Sequence, residues 1–197
     1  MNKILLTALA AASTLALASP AAAQSVSGVV DITGNVADKC IVTDDGTPPS
    51  GSFGGSVDLG QLDDTDGTLK DSSVLASAFS AAGAANLTYR IVCTTPNTQL
   101  TVNANELTTG AVVTTGYANT VHYNANVQLS LVGGNQTLSN DTLLVPAGAT
   151  QTYTARLATG ANNVSVTADS FRTPGASDVM LAGTYNGNIQ ITVAPAN

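Results

Sequence analysis

The sequence has no tryptophan, one histidine (His122), one glutamate (Glu106), two cysteines and six basic residues. Each shortage closes off a class of chemistry. With one imidazole and one glutamate, the parts for an acid–base pair are scarce, and no G-x-S-x-G turn presents an activated serine. No enzyme activity is therefore expected, and no catalytic residue or cofactor is assigned. Cys40, Cys93 and His122 fall in no metal-ligand spacing, so no metal site is assigned either. Six basic residues, nowhere clustered, against thirteen acidic ones give a net charge of −7. Such a chain cannot neutralise phosphates, and nucleic acid is excluded as a partner. Charged residues make up only 10% and hydrophobic ones 44%, which argues for a packed core over disorder.

Long apolar runs are also missing, with one exception at the start. Lys3 supplies a positive end, Ile4 to Leu17 an apolar stretch, and Ala21-Ala22-Ala23 a small-residue cleavage site, with Gln24 the first mature residue. The run is short for a membrane span and Ser19-Pro20 interrupts it, so residues 1–23 read as a signal peptide. No later stretch approaches the roughly eighteen apolar residues of a spanning helix. Loss of Lys3 leaves five basic residues against thirteen acidic, a net charge of −8.

Export sets the reading of Cys40 and Cys93. An oxidising compartment favours one intramolecular bridge over two free thiols or an intermolecular bond. Closing so long a loop contributes about 4 kcal/mol on chain-entropy grounds.

What the mature chain does have is alternation with period two. It runs through Val26, Gly28, Val30, Ile32, Gly34 and Val36, then Leu87, Tyr89, Ile91 and Cys93, then Leu100, Val102 and Ala104. The longest set is Val121, Tyr123, Ala125, Val127, Leu129 and Leu131. Tyr153 to Leu157, Val164 with Val166, and Tyr185 to Val193 follow. Half-buried strands separated by turn residues predict an antiparallel all-β sandwich. Residues 46–56 form a Gly/Pro/Ser loop, and Gly133-Gly134-Asn135 marks a hairpin. Residues 74–85 fit a short helix or an Ala-rich loop equally well. Asn186-Gly187 suits a turn, but the apolar parity runs through it, which favours one continuous terminal strand.

This layout resembles subunits of chaperone–usher pili, and among them the spore coat protein U-like domain of archaic-type pili. An alternating segment, SVSGVVDITGNVADKC, leads to the first cysteine, and VDLGQL follows at 57–62. LTYRIVCTT carries the second cysteine, QLTVNA the next strand, Val121-His122-Tyr123-Asn124 a mid-domain strand, and AGTYNGNIQITV at 182–193 the last. The resemblance implies an immunoglobulin-like sandwich over residues 37–197 that lacks its last strand. Residues 24–36 would then be a donor-strand extension for the next subunit. Its expected partners are identical or related pilin subunits, a periplasmic chaperone and an outer-membrane usher. Its expected role is a surface fibre serving adhesion or biofilm formation, reached through the periplasm, with no membrane span after signal cleavage. The single-domain length favours a shaft or adaptor subunit over a tip adhesin with an added lectin domain.

In that reading Val26, Val30 and Ile32 fill pockets, and Gly28 permits close backbone approach. The rivals are an ordinary first strand over 25–34, and a monomeric secreted or surface binding module of the same fold. His122 shares parity with Asn124, Asn126 and Gln128 and reads as a solvated strand residue. Asp58 to Gly67 resembles a calcium loop, but Leu62 and Ser73 occupy two ligand positions, so an acidic turn is expected. Glycosylation-type triplets at Asn86, Asn135, Asn140 and Asn163 are assigned to polar outer faces.

Overall fold

The computed structural model describes residues 27–43, 49–83 and 87–196. The signal peptide, Val26, Asn86 and part of the 46–56 loop lie outside the described residues. The chain divides into residues 1–35 and 36–197. In the first unit, residues 27–35 are exposed and form neither helix nor strand.

In the second unit most of the period-two segments become strands, though Ala155, Leu157 and Tyr185 fall outside them; the order is β1 (Cys40–Val42), α1 (Ser72–Gly83), β2 (Thr88–Tyr89), β3 (Ile91–Cys93), β4 (Asn97–Thr108), β5 (Tyr117–Ala118), β6 (Thr120–Leu131), β7 (Gly134–Asp141), β8 (Ala149–Tyr153), β9 (Val164–Arg172), β10 (Val179–Met180) and β11 (Asn186–Ala196). The main sheet runs β11-β4-β6-β9-β2, with β8 added to β4 and β7 to β6. Its pairings are antiparallel; β5 and β10 form a separate two-residue parallel pair. Strand β4 pairs with β8 through residues 98–102, and meets β6 only at Leu107 and Thr108. The alternate residues Leu100, Val102, Ala104, Val121, Val127 and Leu129 are buried together with Val164, Val166 and Phe171 in one core cluster. This is an all-β antiparallel fold with one short helix.

The bridge between Cys40 and Cys93 is formed, directly across the β1–β3 pair and closing a separation of 53 residues. Residues 72–83 resolve the helix-or-loop choice as helix. Asp71 caps it, accepting from the Ser73 N–H (2.8 Å) and hydroxyl. Leu75, Phe79 and Gly83 make its buried stripe at helical spacing. The β6–β7 hairpin turns at Val132-Gly133, one residue earlier than expected, because Leu131 pairs with Gly134. Asn186-Gly187 is neither a turn nor plain strand. It is a bulge against β4, where a Cβ on Gly187 would lie 2.8 Å from the Glu106 carbonyl oxygen.

Two of the asparagine triplets correct the outer-face reading. Asn140 is 0% and Asn163 3% exposed. The Asn163 side chain accepts from the Ile91 N–H (2.8 Å) and donates to the carbonyls of Ile91 (2.7 Å) and Ala158 (2.8 Å). It stands in for a strand partner where the LTYRIVC segment leaves β9 for β1, which is why that segment breaks into β2 and β3. Asn140 does the same between the Ala104 N–H and the Val145 carbonyl.

Candidate functional site

The terminal strand β11 pairs with β4 on one edge, and no described strand pairs with its other edge. Its side chains record the consequence. Ile189, Ile191 and Val193 stand opposite Ala104, Val102 and Leu100, which are 0–2% exposed, yet the three β11 residues are only half-buried. The same inward face is thus sealed on β4 and open on β11. Across the gap runs the segment 53–62: Phe53, Gly54 and Gly55 line one cavity with residues 188–191 of β11, and residues 57–62 line another with residues 180–185. Residues 51–61 make no backbone–backbone hydrogen bond to any described residue, so this wall is not stitched into the sheet.

Three adjoining cavities fill the gap. One of about 450 Å³ lies between Phe53, Tyr89, Val166 and Ile191. A second, about 330 Å³, has Phe79, Tyr123, Phe171 and Leu107 around it, and shares Asn188 and Ile189 with the first. A third, about 560 Å³, lies between Leu59, Leu62, Met180 and Tyr185, and shares Val57 and Leu59 with the second. Six of the eight aromatic residues, counted from five Tyr and three Phe, line this groove. Phe53 packs on Tyr89 with ring centroids 4.6 Å apart, and Tyr123 stacks on Phe171 at 5.6 Å. The Tyr123 hydroxyl donates to the carbonyls of Asn105 (2.9 Å) and Asn188 (3.2 Å), which fixes β11 to β4 just beyond the bulge. Burial, with Glu106 nearby, pushes the Tyr123 phenol well above its usual range, so it remains a donor. Such a groove suits an extended segment: free backbone groups along one edge, and apolar depressions for alternate side chains.

Of the residues assigned to donation, Val26 lies outside the described residues. Gly28, Val30 and Ile32 are in no strand, and Val30 and Ile32 are 85% and 92% exposed. A Cβ placed on Gly28 meets nothing within 4 Å. An ordinary first strand over 27–34 is therefore not formed. The groove's aromatics were only partly foreseen. Tyr89, Tyr123 and Tyr185 carry the alternating parity, but Phe53 sits in a glycine-rich stretch with no periodic signal.

His122 is half-buried rather than fully solvated. Its Nδ1 lies 3.3 Å from the Thr142 hydroxyl, beside a bidentate pair in which Arg172 donates to both Asp141 oxygens (2.6 and 2.7 Å). Burial holds its pKa below the usual imidazole value; Glu106 and Asp141 oppose this and Arg172 adds to it. Burial acts to raise the Asp141 carboxyl, but the Leu143 N–H, Arg172 and the Leu144 N–H outweigh it and leave the pKa low. The acidic run forms a tight turn between the bridged residues Asp63 and Leu69. Asp66 accepts from the Thr68 hydroxyl (2.7 Å) and N–H (2.9 Å), which holds its carboxyl below the usual range. Asp58 accepts from the Gly60 N–H. These carboxylates are engaged by their own turns. No helix among the described residues is long and apolar enough to cross a membrane.

Compared with protein-family models, with curated proteins and with solved structures, the chain matches none.

Proposed function

We propose that this protein is a structural subunit that joins copies or relatives of itself head to tail, by lending an extended segment to a neighbour's open sheet edge. The carrying observation is the row Ile189, Ile191 and Val193, half-exposed beside fully buried partners on β4. A complete immunoglobulin-like sandwich would cover that row with one further strand. The chain also carries an exposed segment of matching pattern in Val30 and Ile32, with Gly28 between open spaces. An open edge and an unpaired alternating segment in one molecule complement each other between molecules, and a head-to-tail joint of that kind does not close. The likeness of the sequence to chaperone–usher pilins supports the same reading. The disulfide fits an oxidising compartment, as expected of a subunit that passes through the periplasm to a surface fibre. An exposed edge of this kind aggregates unless it is covered, which gives a chaperone its task.

The test is a synthetic peptide of residues 24–36 added to the purified mature chain. Binding should raise the thermal midpoint and sharpen the transition, while a peptide with Gly28→Leu should not. A mature chain that melts cooperatively and ignores both peptides refutes the proposal.

A further inference from the structure

The outer face of the β11-β4-β8 sheet is built mainly of neutral amides and hydroxyls. Directly opposed residues share a face, so the registers set Thr150, Thr101 and Thr192 in one row and Thr152, Gln99 and Ala194 in the next. Asn103 with Gln190, and Asn105 with Asn188, extend the array along β4 and β11. The Thr101 and Thr150 hydroxyls lie 2.9 Å apart, and Asn105 donates to Asn188 at 2.8 Å. None of the nineteen charged residues of the chain falls within 97–105, 149–153 or 186–196. The outer face of β6 and β9 differs, carrying His122, Asp169 and Arg172.

We propose that this neutral amide-and-hydroxyl face is a self-contact, where two copies of the chain meet sheet to sheet. Two molecules of net charge near −8 repel on approach, and a charge-free face is where that repulsion is least. Threonine hydroxyls and Asn/Gln amides each donate and accept, so the face is complementary to itself about a two-fold axis. Ten paired residues on β11 and β4 and five on β8, at ~3.4 Å along and ~4.8 Å across the strands, give about 400 Å² per copy. That is about half of a standard interface per partner, so a single contact is weak. Strung along a fibre, the contact repeats and adds, drawing filaments side by side. Only that multiplication rests on the strand-donation reading; the pairing of two copies does not.

The experiment uses the mature chain with Val30→Asp and Ile32→Asp, which disable donation on exposed residues, with the 24–36 peptide added to cover the open edge. Thr192→Cys on the neutral face and Thr167→Cys on exposed β9 are each treated with a short bis-maleimide. Thr192→Cys should give several-fold more cross-linked dimer than Thr167→Cys, and the yield should rise with salt as long-range repulsion is screened. Adding Thr101→Asp should remove the excess. If Thr101→Asp does not fold, as judged by circular dichroism, Gln190→Lys at an exposed position replaces it. Equal cross-linking at both cysteines overturns the proposal, as does a yield that falls with salt. Retention on an insoluble neutral polysaccharide, lost in Thr101→Asp and without excess dimer, overturns it in favour of a glycan face. In cells, Thr101→Asp should turn bundled fibres into single ones. Absence of all fibres from the wild type would refute strand donation and leave the cross-linking result standing.

Discussion

Replacing Ile32 by Asp tests strand donation where the subunit itself has least at stake. The side chain is 92% exposed and in no strand, so the domain should fold as before. In the proposed joint, burial of Val30 and Ile32 in a neighbour's groove would contribute about 1.5–3 kcal/mol each. Asp at position 32 forfeits one of those shares and leaves an unpaired carboxylate in an apolar cavity. A loss of at least about 2 kcal/mol follows, roughly thirtyfold in affinity for each joint. Gly28→Leu works by bulk instead. A Cβ added at Gly28 meets nothing within 4 Å in the free subunit, so the cost would fall on the proposed joint, where overpacking costs about 1–3 kcal/mol. Fibres counted by electron microscopy, with immunoblots for exported subunit, should show normal export and few or no fibres for both variants. Thr33→Ser should assemble normally. Wild-type fibre numbers from both Ile32→Asp and Gly28→Leu would refute the reasoning.

Cys40→Ser should lower the yield of folded protein, since opening a loop of 53 residues costs about 4 kcal/mol; non-reducing mass spectrometry checks the linkage in the parent. Asn163→Ala should destabilise by about 2–5 kcal/mol in urea unfolding, because it orphans the Ile91 N–H together with the carbonyls of Ile91 and Ala158. The pKa of His122 is lowered in the folded state, so the unfolded chain binds the extra proton first. Stability should therefore be full above the ordinary imidazole value near 6.5 and decline as pH falls through it, and His122→Gln should flatten that limb of a urea-midpoint profile. Amides of residues 51–61 should exchange rapidly in the free mature chain and gain protection on adding the 24–36 peptide; protection already present without peptide would count against an open wall.

The long central strands β4 and β6 were legible because burial follows parity in them, whereas the mostly exposed β7 and β8 carry no such signal. In β6 the set Val121 to Leu131 alternates buried and half-exposed as the sequence alternates apolar and polar. Legibility failed where side chains substitute for backbone. Asn140 and Asn163 are polar letters in polar stretches, and nothing local distinguishes them from the exposed Asn135. Their role comes from strands that lie 36 and 72 residues away and leave peptide groups to be satisfied. Gly187 is similar: the Asn-Gly pair signals a turn locally, but the approach of Glu106 and Asn105 makes it a bulge. The groove was half legible. Parity identifies Ile189, Ile191 and Val193 as inward, but parity alone does not reveal whether a neighbour covers them.

The wall formed by residues 53–62 owes its character to what holds its two ends. Upstream, Val42 and Ser50 exchange backbone hydrogen bonds of 2.8 and 3.1 Å, and the disulfide ties β1 to β3 immediately before them. Downstream, the Lys70 N–H donates to the Leu62 carbonyl at 2.9 Å, and the Asp63–Leu69 bridge closes the acidic turn. Between these anchors Gly54, Gly55 and Gly60 add no side-chain packing, and the half-buried Phe53, Val57, Leu59 and Leu62 hold the wall to the core. Between its anchors the segment makes no backbone–backbone hydrogen bond; the Gly60 N–H donates to its own turn's Asp58, and the Gln61 carbonyl accepts from Lys70 Nζ. In the proposed strand addition, the peptide groups of this segment that no backbone partner holds would meet the incoming strand on the side away from β11. The disulfide's contribution is thus local as well as global, since it fixes where the wall begins relative to the open edge it must face.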